Sequence, residues 1–180
     1  MSTAYDNFNH GIRGATDLLE HFDRVNVKPP PENAEVLKRA SLVMALAALE
    51  TYVEDRITEA AVVTARGARE SLLGRFYVDS LSNDLRYFHS PSADKVRNLF
   101  KKYLSLDVTQ GWTWNNYDPV RAKRELDTLV CKRGDIAHRA PLPKGPIPSP
   151  HIVTRDAMRK HVQFIRDLAH ATDKYLDEHL

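Results

Sequence analysis

Apolar residues recur along this chain at helical steps. Tyr5, Phe8, Ile12, Ala15, Leu19 and Phe22 alternate steps of three and four, which is one apolar stripe on one N-terminal helix. The proline run in "VKPPPE" ends that helix and forms a stiff linker. A second helix is predicted from about Asn33 to Arg66, with Gly67 as its stop. Its middle, "SLVMALAALETYV", is apolar on nearly all sides, the signature of a helix at the centre of a bundle or in an oligomer interface.

Residues 68–90 show no clear period and read as one short helix plus loops. "SPSADKVRNLFKKYL" then starts a helix, with Ser90 or Ser92 as cap and Pro91 at an early position. "LDVTQGWTWNNY" reads as a loop. Asp118 caps the next helix, Pro119 sits in its first turn, and Val120, Ala122, Leu126, Leu129, Val130 and Ile136 line its apolar side. "APLPKGPIPSP" cannot be helical. From Thr154 onward Met158, His161, Val162, Ile165, Leu168, Ala169, Thr172 and Leu176 mark a final helix about 40 Å long. No segment alternates like a strand. The expected fold class is therefore all-α, a helical bundle of about four to six helices.

Length and composition narrow the classes. A chain of 180 residues suits one domain, with residues 1–28 as an N-terminal helix and 33–180 as the bundle proper. Hydrophobic residues at 42% and charged residues at 28% are ordinary for a globular protein. The lone Cys131 allows no disulfide within the chain. The N-terminus has no apolar run, and the longest such run, "LVMALAAL", is too short to span a bilayer. No membrane association and a cytoplasmic location are expected.

The net charge of +2 implies no polyanion partner by itself, but its distribution is uneven. Residues 95–103 and 121–144 each carry a net +4. On a shared face they make a basic surface; otherwise they are two solvated helix faces.

Several kinds of chemistry find no support. There is no cysteine pair, no His-Glu-x-x-His and no phosphate-cradling glycine loop, so no metal site or cofactor is expected. His161 and His170 lack a facing carboxylate in the pattern and read as core-edge or surface residues. Trp112 and Trp114 can stack on bases, yet anchoring their loop to the core is the favoured reading.

"RGDIAHR" suits one reaction class. Metal-free RNA cleavage needs a base for the 2′-hydroxyl proton, an acid for the leaving oxygen, and a cation for the phosphorane. His138 can carry protons near neutral pH, Arg133 can grip phosphate, and Asp135 can orient the imidazole. Five positions on a helix place the two side chains about 140° apart. Two ways around this are a kink or helix end at Gly134, and a twofold axis that joins two copies of the motif in one pocket. A solvated helix end explains the same residues without any chemistry.

Three stretches together carry a family resemblance. "RASLVMALAALETYVEDRI" resembles the central helix of the HEPN superfamily, in its RiboL-PSP-HEPN branch of prokaryotic nucleases. "FHSPSADKVRNLF" resembles the family's middle segment, and "LDTLVCKRGDIAHRA" its signature of an arginine, four to six residues, then a histidine. The resemblance spans about Asn33 to Leu180. It implies a small all-α homodimer with a composite active site, often a metal-independent endoribonuclease acting in toxin or phage-defence systems. A neighbouring antitoxin protein is a possible partner, and RNA is the expected substrate. The alternative is a non-catalytic dimer that binds RNA, nucleotide or a partner protein. The resemblance assigns Arg133 and His138 as catalytic.

Gly134 departs from the polar residue common after the arginine, and Asp135 can take over that role. Glu50 is a supporting candidate, since a carboxylate on an apolar face needs a partner and Arg133 is one, but a helix-end acid at the bundle rim is the favoured reading; Glu54, one turn on, has the same standing. Lys132 and Arg139 flank the pair and are candidate RNA-binding cations; Lys144 is a lesser one, in a loop from Ala140 to Pro150 whose favoured reading is a span to the last helix. Cys131 is expected to be a small buried thiol.

Overall fold

The structure, a computed structural model, describes residues 1–27, 34–68, 70–138 and 154–180, with the backbone alone at 137 and 138. Among these residues the regular elements are helical: α1 (Thr3–Gly11), α2 (Arg13–Val25), α3 (Ala34–Thr64), α4 (Leu72–Leu85), α5 (Ala93–Leu104), a 3-10 turn at Val108–Gly111, α6 (Pro119–His138) and α7 (Arg155–His179).

The single N-terminal stripe builds two helices with a break at Ile12. Hydrogen bonding nevertheless continues through the break, with Ile12 N–H donating to Phe8 O at 2.9 Å and Thr16 N–H to Ile12 O at 3.4 Å. α1 and α2 are therefore one bent rod, and all six stripe residues except Tyr5 are buried along it. Gly14 allows the rod to lie close to α3, where a Cβ would stand 3.1 Å from Met44 Cε.

α3 is the spine of the bundle and touches every other α-helix. Its 31 residues span about 46 Å. Leu42, Ala45, Leu46, Leu49, Tyr52, Val53 and Ile57 are all buried along it, as its all-round apolarity predicts. At its lower half Arg56 is buried as well. Its Nε donates to Asp173 of α7 at 2.9 Å, and its Nη2 to Asp177 at 2.8 Å. Asp173 is only 1% exposed, so this guanidinium holds a buried charge in place.

The other helices start where their caps predict. Ser92 Oγ accepts from Lys95 N–H ahead of α5, Asp118 Oδ1 from Arg121 N–H ahead of α6, and Thr154 Oγ1 from Ala157 N–H ahead of α7. α5 ends on Ser105, a left-handed residue at φ 58°. α4 is the least embedded helix. Gly74 and Leu81 are its buried residues, while Leu72, Leu73 and Phe76 face outward, which is why its sequence shows no clean stripe.

The loop after α5 is anchored as expected. Trp112 is 1% exposed and its indole N–H donates to Thr172 Oγ1 of α7 at 2.9 Å. Trp114 stacks on Tyr117 and packs against Phe164. Gly111 passes so close to α7 that a Cβ there would lie 2.5 Å from Tyr175 Cβ. No described helix is long and apolar enough to cross a membrane.

Candidate functional site around Arg133

The turn between α4 and α5 explains how the signature arginine is held. Phe88 and Pro91 are buried and pin this turn to the core. His89 and Ser90, between them, stay at the surface. Ser90 adopts the left-handed region at φ 60°. An ordinary residue in that region costs about 1–2 kcal/mol, and two bonds hold Ser90 there. Its N–H donates to Glu50 Oε2 of α3 at 3.0 Å, and its Oγ accepts from Arg133 Nη1 of α6 at 2.7 Å.

Glu50 therefore does not pair directly with Arg133, the partner that its apolar face suggested. It fixes the backbone of the residue that fixes Arg133. Glu50 itself is turned toward the 88–91 turn. The two partners lie 40 and 43 residues from Ser90, so three separate segments build the cluster. Asp127 of α6 tightens the same corner, because its Oδ1 accepts from Ala93 N–H at the start of α5 at 2.8 Å.

His89 stands beside this relay. Its Nδ1 lies 3.8 Å from Glu50 Oε1, its side chain is 72% exposed, and its carbonyl accepts from Lys95 Nζ. Glu54 lies one turn further along α3. Burial raises its pKa, the charges of Glu50 and Asp55 raise it further, and His89 lowers it. Sequence reasoning missed His89, and it considered Ser90 only as a helix cap. The cap is Ser92; the signal for Ser90 was its place beside Pro91, in a turn whose flanking residues must dip into the core.

α6 runs without a break through Gly134 to His138. Of the two ways around the spacing, the kink or helix end at Gly134 is absent; a Cβ there would meet no atom within 4 Å. Positions 133 and 138 are thus about 140° apart around one continuous axis and about 7.5 Å apart along it. Asp135 is exposed on the same helix. Arg139 and Lys144 lie outside the described residues.

Lys132 points elsewhere than its neighbour. Its Nζ is 3.3 Å from His161 Nε2 on α7, and His161 Nδ1 is 3.5 Å from Glu125 Oε1. The carboxylate missing from the α7 pattern thus comes from α6. His161 is 8% exposed, and burial, reinforced by the Lys132 charge, lowers its pKa to about 4. A neutral ring can donate through Nδ1 to Glu125 and accept from Lys132 through Nε2. Cys131 is exposed rather than buried. It lies two positions past the buried Leu129, about 200° around the helix.

α5 and α6, which carry the two basic stretches as far as His138, pack together. Several of their cations nonetheless have acidic neighbours, with Arg97 on Asp94 at 3.1 Å and Lys102 on Asp84 at 2.6 Å. Among the described residues no group of three or more histidine, cysteine, aspartate or glutamate side chains is arranged to hold a metal.

The geometry agrees with the comparison to known families. The sequence model of the RiboL-PSP-HEPN family matches residues 12–178, starting earlier than the three motif stretches and taking in α2. No curated protein and no solved structure matches. An all-helical bundle with an arginine anchored on its penultimate helix, matched over nearly its whole length, belongs to the RiboL-PSP-HEPN family.

Proposed function

We propose that the protein is an endoribonuclease that cuts RNA by attack of the 2′-oxygen on the adjacent phosphate. The products are a 2′,3′-cyclic phosphate and a free 5′-hydroxyl. Arg133 stabilises the phosphorane and His138 transfers protons. The observation that carries this reading is the fixed guanidinium. Arg133 is held at 2.7 Å by a serine whose backbone is itself tied to Glu50, which leaves its remaining N–H groups for a ligand phosphate. Positioned cations of this kind stabilise charge without reorganising during reaction.

A twofold dimer resolves the spacing on α6. With the two motif positions about 140° apart on one straight helix, one copy's arginine and its partner's histidine can line a common pocket. RNA, with Arg139 and Lys144 near its backbone, is the partner in this reading; Lys132, also expected there, is engaged with His161 instead. An antitoxin protein is a further candidate. The role is in toxin or phage-defence systems, in a cytoplasmic protein of one domain. The test is cleavage of mixed RNA in EDTA by the wild type, His138→Ala and Arg133→Ala. Cutting by the wild type alone supports the reading. Retained cutting by the double variant refutes it.

The second reading is a HEPN dimer that binds RNA, nucleotide or protein without cutting. Gly134 favours it, since the position after the arginine carries no polar side chain of its own. Tight RNA binding with no turnover would decide for it.

A further inference from the structure

A phosphoryl transfer of this kind moves two protons, and one imidazole serves both only by changing its state between them. The Arg133 corner contains a second imidazole. His89 precedes the residue that accepts the Arg133 hydrogen bond, so the two side chains issue from one turn. That turn is pinned on either side by buried Phe88 and Pro91. The Glu50 carboxylate uses both oxygens here. Oε2 holds the Ser90 amide at 3.0 Å, and Oε1 lies 3.8 Å from His89 Nδ1. A carboxylate within ion-pair range of Nδ1 can hold a protonated imidazole on this side and leaves Nε2 for a substrate atom. The charged groups of this corner are Glu50 beside the ring, Glu54 one turn along α3, Lys95 of α5 on the His89 carbonyl, and Arg133 of α6 on Ser90. The ring itself is 72% exposed, so it is open to a ligand rather than consumed by packing.

We propose that His89 is the general acid of the cleavage reaction and that Glu50 is its positioning residue. This rests on the nuclease reading above. As the O2′–phosphorus bond forms, the 2′-hydroxyl proton passes to His138. As the phosphorus–O5′ bond breaks, the His89 imidazolium gives its proton to the departing O5′. Exchange with water then restores both rings. Arg133, held by Ser90, and His89, beside Glu50, would engage the phosphate and its leaving oxygen from the same corner.

The test uses an RNA that the full-length protein cuts, resynthesised with sulfur in place of the bridging 5′-oxygen at the mapped site. A thiolate leaves without a proton, so an enzyme that lacks only its acid regains activity on that substrate. His89→Ala is expected to lose about 10²- to 10⁴-fold in kcat on the oxygen RNA and to approach the wild type on the sulfur RNA. Glu50→Gln keeps an acceptor for the Ser90 amide and should show a smaller loss with the same recovery. Equal cutting by wild type and His89→Ala overturns the assignment, as does a His89→Ala defect of equal size on both substrates. Either result leaves the nuclease reading standing. A wild type that cuts no RNA overturns both. The exposure of His89 makes an alanine there neutral to folding, which an unchanged Tm would verify.

Discussion

The buried His161, set between Lys132 and Glu125, should make the protein lose stability on acidification through one identifiable group. His161 ordinarily titrates at 6.5 and holds its proton only at about 4 in the folded protein. The unfolded chain therefore binds the proton more readily. The contribution to stability is complete above pH 6.5 and is lost as pH falls toward 4. At 1.36 kcal/mol for each tenfold change in proton affinity, the loss by pH 4 is about 3 kcal/mol. That is a large fraction of the ~5–15 kcal/mol that holds a typical domain folded. His161→Gln isolates the effect, because a glutamine can accept from Lys132 through its carbonyl and donate to Glu125 through its amide, yet it does not titrate. Urea unfolding of both proteins at half-unit steps from pH 7.5 to 4 is the assay. The wild-type curve should fall about 3 kcal/mol further than that of the variant. Parallel curves would refute the claim that His161 is kept neutral by its surroundings.

Other expectations follow from the packing. Arg56→Ala leaves the Asp173 carboxylate buried without its cation and should cost about 3–5 kcal/mol in urea unfolding. Ser105→Gly removes a side chain from a left-handed helix cap and should raise Tm by about 2–4 °C, corresponding to about 1 kcal/mol. Gly134→Ala adds a methyl to the interior of α6, where it meets open space, and should stabilise by about 0.5–1 kcal/mol in thermal melts. If cleavage survives that change, Gly134 is not required for the reaction. Gly111→Ala drives a methyl into Tyr175 and should destabilise by about 1–3 kcal/mol, read in the same melts.

The helices written by strong periodicity and clear caps were legible in the sequence. α3 announces itself by apolarity on every side, α6 by Asp118 and Pro119, and α7 by its long stripe. α4 did not, because a helix with two buried residues leaves almost no pattern. The break at Ile12 was equally hidden, since a stripe of threes and fours continues across a bend that keeps its hydrogen bonds. Of the candidate site, Arg133 and Glu50 were named from the residues and the resemblance, and the structure places them around one serine. Ser90 and His89 escaped notice because their importance lies in contacts 40 and 43 residues away, and sequence spacing says nothing about which turn a distant helix will meet. The Glu125 partner of His161 was invisible for the same reason: the carboxylate arrives from another helix.

The Glu50–Ser90–Arg133 relay also bears on when such a site can exist. A chain emerging from the ribosome presents α3 and the 88–91 turn well before α6 is free to dock. Until then the turn has no guanidinium to hold, and Arg133 has no serine to fix it. Local helix formation, which takes about a microsecond or less, cannot assemble the cluster early, since no two of its three members lie on the same helix. Any activity that depends on the anchored arginine thus arises only with the completed tertiary fold. A protein with a destructive reaction would carry, in its topology, a delay that keeps it silent while it is being made.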